Sequence, residues 1–123
     1  MELTPLKAAR IIAAGRVAYG ALCMAAPRAA FGPAGKRAEG PMVWMGRGFG
    51  VRDVVLGAGA LAALASGRDA TSWVAAGAVA DGLDLANAVV HRDELDTAGL
   101  VGVALLAVPA TVGGVWAARH LRS

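Results

Sequence analysis

The chain of 123 residues is 57% apolar, above the roughly 45–50% of soluble domains, with a mean hydropathy of +0.56. Its net charge of +3 comes from scattered Lys and Arg with no aromatic interleaving, which gives nucleic-acid binding no support. The single cysteine, Cys23, excludes an internal disulfide, while 17 glycines and only 5% aromatics suit helices that approach closely in lipid.

Thr4 is placed to cap a helix with Pro5 at its first position, and the first span is expected over about 6–26, where Pro27 stops it. Arg10 and Arg16 interrupt its apolar run, which argues against a cleaved secretory signal. Leu22 before Cys23 is too large for a lipoprotein cleavage box, so Cys23 reads as a small core residue. Arg10 can snorkel to the surface, but Arg16 is central in the span. On helical spacing Ile12, Arg16, Tyr19 and Cys23 share a face, which makes that face the inward one.

Glycine, proline and charge make residues 28–40 a loop. After Pro41 a second span is expected over about 42–65, about 36 Å long and sufficient to cross a bilayer. Arg47 lies about one and a half turns inside it, and Arg52 and Asp53 near mid-depth. Gly46 and Gly50 fit a close-packing face. No strand precedes these glycines and they do not spell a dinucleotide fingerprint.

After a turn at residues 66–69, the third span is expected over about 70–90. It sets Asp81 and Asp84 in an apolar run, three residues apart and so on one helical face, with Ala88 and His91 continuing the stripe and Asn87 beside it. A carboxylate in hydrocarbon costs at least ~2.5 kcal/mol, so these groups are expected to face the bundle interior and meet a cation or share a proton. A metal site of Asp84, Asn87 and His91 lacks the usual second histidine or cysteine, and no metal or other cofactor is called for. Ser and Thr pair with no nearby histidine, so a hydrolase triad has no basis.

The fourth span is expected over about 97–118, where 22 consecutive residues carry no charge. That stretch disfavours the alternative of a soluble Ala-rich bundle. Pro109 and Gly113-Gly114 point to a kink or loosened packing in its second half. Trp44, Trp73 and Trp116 fall near helix ends, where interfacial tryptophans belong.

Laid side by side, the spans bring their charges to one depth: Arg16 in the first, Arg52 and Asp53 in the second, Asp81 and Asp84 in the third. Two cations face three carboxylates, and Arg47 could supply a third from one turn higher. The expected architecture is an all-α, integral membrane four-helix bundle, one domain over residues 1–123, with an Arg/Asp cluster inside.

The run Arg47-Gly48-Phe49-Gly50-Val51-Arg52-Asp53, then Leu56-Gly57, then Asp81-x-x-Asp84, resembles a family of small four-helix integral membrane proteins of unknown function, many of them actinobacterial. DoxX-like membrane families share the size and helix count more loosely. The resemblance covers most of the chain, least characteristically in the first loop and the fourth span. It implies the bundle and membrane residence, and no activity.

The candidate catalytic residues are therefore Asp81, Asp84 and Asp53, with Arg16, Arg47, Arg52, Tyr19, Asn87 and His91 for substrate binding or charge pairing. A membrane-embedded acid/base enzyme of isomerase or cyclase type acting on a lipophilic small molecule, a small proton-coupled transporter and a structural accessory subunit all stay open. The expected partners are the lipid bilayer, that lipophilic molecule and a second copy of the chain. The expected place is the cell membrane, crossed several times. Lys7, Arg10, Arg68, Arg119 and Arg122 on the side of both termini, against Arg28, Lys36, Arg37 and Arg92, give only a faint preference for cytoplasmic termini and permit an antiparallel dimer.

Overall fold

A computed structural model describes residues 2–30, 40–90, 93 and 97–121. Among them the order is α1 (Pro5–Ala25), α2 (Pro27–Ala30), α3 (Gly40–Ala65), α4 (Thr71–Val90) and α5 (Thr97–His120). The four long helices start and stop within two residues of the expected spans. All four are long and apolar enough to cross a membrane, over Pro5–Ala25, Val43–Ala65, Thr71–Val90 and Val101–His120. The protein is an all-α membrane four-helix bundle.

The ends follow from local chemistry. Thr4 is extended and its Oγ1 accepts from the Lys7 N–H at 3.1 Å, while Pro5 spends no donor at the first position. Pro27 ends α1 but opens the single turn α2, a correction to the loop expected from residue 28; residues 31–39 of that connector lie outside the described residues. At the end of α3, Gly67 takes φ +69°, and its neighbour's N–H reaches back from Arg68 to Ala63 O at 2.9 Å. This left-handed cap is open to glycine at no steric cost. Asp69 then caps α4 by accepting from the Thr71 N–H at 2.9 Å and the Thr71 hydroxyl at 2.5 Å.

The helices run up and down, with α1 packed chiefly on α3 and α4 on α5; α1 also meets α5, and α3 meets α4. The α1/α3 seam follows a four-three repeat of mostly small residues: Ala9, Ala13, Arg16, Gly20 and Cys23 are buried on α1, and Gly46, Gly50, Asp53, Gly57 and Ala60 on α3. A Cβ on Gly20 would lie 2.6 Å from Gly50 O, and one on Gly57 2.5 Å from Ala13 O, so only glycine allows the backbones this close. Such spacing is the left-handed, slightly tilted geometry of antiparallel bundles. On α5 the helix runs unbroken through Pro109, and Gly114 serves packing instead of a break: a Cβ there would stand 3.0 Å from the Ala78 Cβ.

Side-chain size is distributed inside out relative to a water-soluble protein. Among the described residues the buried hydrophobic ones are almost all alanine, and Cys23 is the largest fully buried side chain, whereas Trp44, Met45, Val90, Leu105 and Val112 face outward. A continuous apolar exterior around a small-residue interior is stable where the surroundings are hydrocarbon.

Candidate functional site

Along the bundle axis the interior has three tiers. At the end where α1 begins, Ala8, Ala9, Ala13, Ala60, Ala63, Ala70, Val74 and Ala117 form an apolar plug. The middle is ionic. Toward the other end, a groove of about 640 Å³ opens beside α3.

Arg16 organises the middle tier. It belongs to the small-residue seam of α1, yet its guanidinium crosses the interior: Nη1 donates to Asp53 Oδ1 of α3 at 3.1 Å and to Asp81 Oδ1 of α4 at 3.2 Å, and Nη2 donates to Asp81 Oδ2. Arg16 and its two partners are less than a tenth exposed. One cation therefore joins three helices, and Asp81 is gripped on both oxygens, the strongest geometry open to an arginine and a carboxylate.

A second pair lies at the groove, one residue before Asp53 on α3 and three residues after Asp81 on α4. Arg52 donates from Nη1 to Asp84 Oδ1 at 3.2 Å and from Nη2 to Asp84 Oδ2 at 2.6 Å, bridging α3 and α4. Its side chain is 36% exposed and that of Asp84 33%. Phe49 lies under the guanidinium, 4.5 Å from Cζ to ring centroid, and Tyr19 meets Phe49 edge-on at 6.2 Å. The groove is lined by Met24, Trp44, Met45, Gly48, Phe49 and Val51 and by the charged Arg47, Arg52 and Asp84.

The expected depth match is thus present, but the cluster divides into two. Asp53 and Asp81 are enclosed with Arg16, whereas Asp84 and Arg52 face the groove. Arg47 does not supply the interior with a third cation; it is exposed on the groove-facing side of α3 and makes no ion pair among the described residues. Tyr19 points inward as expected, but its hydroxyl donates to Ala30 O at 3.0 Å, tying α2 to α1. Asn87 is exposed on α4. His91 lies outside the described residues. No group of three metal-ligating side chains occurs among the described residues.

Three contributors escape a reading of the sequence. Gly77 leaves room for the guanidinium: a Cβ there would lie 2.7 Å from Arg16 Nη2 and 2.8 Å from Nε. Its position one turn before Asp81, in a helix interior where glycine costs about 1 kcal/mol against alanine, is a signal that could have found it. Phe49 supports the Arg52 guanidinium, a contact that no spacing in the sequence marks. Gly48 is open, since a Cβ there meets nothing within 4 Å. No family model, curated protein or solved structure matches the chain.

Proposed function

We propose that the groove binds a lipophilic small molecule by its polar end and that Asp84 exchanges a proton with it, making the protein a membrane-embedded acid/base enzyme. One observation carries this reading: of the three interior carboxylates, Asp84 alone lines the groove, while Asp53 and Asp81 are enclosed around Arg16. A proton donor or acceptor must reach the reacting atom, and Asp84 has that access. Arg52, fixed by Phe49 below it, would orient both the carboxylate and the bound head. About 640 Å³ falls in the usual range for a small-molecule site, roughly 300–1,000 Å³.

The test is solvent-hydrogen exchange. Membranes bearing the protein are incubated with cellular lipid extract in deuterated water, and compounds that gain deuterium at carbon are sought by mass spectrometry. The reading expects at least one compound labelled with the native protein and not with Asp84→Asn. Labelling that is the same for both proteins, or absent from both, removes Asp84 from the chemistry.

A proton-coupled transporter is the second reading, favoured by the position of Arg52–Asp84 across the α3/α4 seam, where parting the pair would loosen two helices. We place the protein in the cell membrane, with lipid around the apolar exterior and a homo-oligomer permitted by the balanced loop charges. Kinship with the small four-helix family belongs to the same proposal. It rests on the Arg47–Asp53 run and on Asp81-x-x-Asp84, and adds no chemistry.

A further inference from the structure

The groove has a sign as well as a shape. Among the described residues its lining holds Arg47 and Arg52 against Asp84 alone, so these side chains carry one positive charge in excess. Asp84 occupies one N–H on each of the two Arg52 terminal nitrogens, which leaves one N–H on each for a ligand; Nε is shielded from outside and has no hydrogen-bond partner among the described residues. Arg47 stands five residues earlier, about 7.5 Å nearer the helix start and about 140° around α3, so the two cations reach the groove from different sides of the helix. Interleaved with them on α3, Trp44 is 77% exposed and Met45 and Val51 are also open, so the apolar lining is continuous with the exterior that lipid would cover.

Arg47 on the exposed rim keeps its charge at the interface, and the unbalanced cation makes the groove attractive to an anion. The excess is one, which suits a monoanion; a dianionic phosphate would leave the groove negative. A guanidinium matches a carboxylate with two parallel hydrogen bonds. The open apolar wall lets a long tail lie partly in the groove and partly in lipid.

We propose that the groove takes a lipophilic carboxylic acid, its carboxylate between Arg47 and Arg52 and its apolar body along Trp44, Met45 and Val51. This rests on the reading of the groove as a lipophilic-molecule site and adds the class of that molecule. Arg47 and Arg52 hold the head, and Gly48 forms the floor over which the body lies.

The experiment is equilibrium binding to the full chain in nanodiscs of zwitterionic lipid, with oleate and oleyl alcohol as probes of equal tail and different charge. Oleate is expected to saturate and to bind at least tenfold tighter than the alcohol. Arg47→Gln, on the exposed rim, brings the lining to neutrality and should cut that preference to twofold or less. Gly48→Leu, which projects into open space, should weaken both probes tenfold or more with an unchanged melting temperature. Equal affinity for acid and alcohol overturns the carboxylate assignment while leaving a lipophilic-molecule site in place. Failure of both probes to saturate, or indifference of both to Gly48→Leu, overturns the groove as the site. Displacement of oleate by phosphatidylglycerol at equal affinity would show that a membrane lipid is the occupant and also overturns the assignment.

Discussion

Gly77 of α4 lies against the guanidinium of Arg16, with room for a hydrogen and none for a methyl group: a Cβ would come within 2.7 Å of Nη2 and 2.9 Å of Cζ. The arginine is held in place by Asp53 and Asp81, so it cannot swing aside without loosening an ionic contact. Gly77→Ala is therefore expected to destabilise, by roughly 1–3 kcal/mol as overpacking does, despite alanine's better helix propensity. Gly15 on α1 is the matched control, because a Cβ there meets nothing within 4 Å. Reversible unfolding in detergent should show Gly15→Ala unchanged or stabilised and Gly77→Ala weakened; equal behaviour would deny Gly77 its spatial role.

Arg16 serves two carboxylates, which makes the effects of their removal non-additive. Asp53→Asn leaves Arg16 paired with Asp81, and Asp81→Asn leaves it paired with Asp53. Each single change should cost about 1.5–3 kcal/mol, the scale of hydrogen bonds to a charged group. The double variant strands a buried cation and should lose more than the sum of the two. A double-mutant cycle in detergent measures this, and simple additivity would show that the two carboxylates do not share the arginine.

The α1/α3 seam sets a steric contrast. Leucine at Gly50 would drive a side chain into the Gly20 carbonyl, from which even a Cβ would lie 2.5 Å away, and the backbone cannot yield as a flexible side chain can. Gly50→Leu should abolish the folded bundle, whereas Gly48→Leu, two residues away, should melt like the native protein. Circular dichroism melts of the two variants check this, and comparable melting would mean that α1 and α3 do not approach so closely.

The four spans were legible because hydropathy and end signals act locally: Thr4-Pro5, Pro27 and the Gly67 turn each mark an end through their own backbone chemistry. The shared depth of Arg16, Asp53 and Asp81 was legible as well, since unpaired charge in hydrocarbon is costly and position along a span gives depth directly. What escaped depends on azimuth and on neighbours. Arg47 and Arg52 looked alike as inner cations, but rotation about α3 turns one to the groove rim and brings the other to Asp84. Likewise nothing in the α1 sequence says that Arg16 reaches across to α4, because that requires the notch at Gly77 on another helix. The turn α2 was hidden because Pro27, read as a stop, is equally suited to a first helical position.

Membrane residence has its own test. An apolar exterior with Trp44, Leu105 and Val112 outward should hold the protein in the pellet after carbonate extraction and make it require detergent. A monodisperse protein recovered from the aqueous fraction without detergent would contradict it.

The division of the cluster into an enclosed tie and a groove-facing pair is tested most directly by comparing Arg16→Gln with Asp84→Asn in one measurement, the free energy of reversible unfolding in detergent. Arg16→Gln leaves two buried carboxylates with no shared cation and should cost roughly 3–5 kcal/mol. Asp84→Asn breaks a pair about one-third exposed at the groove, keeps its shape, leaves the Arg16 tie intact, and should cost clearly less than Arg16→Gln. The predicted result is that wide separation, with Asp84→Asn folded; an Asp84→Asn variant as unstable as Arg16→Gln would contradict it and make both pairs equally structural.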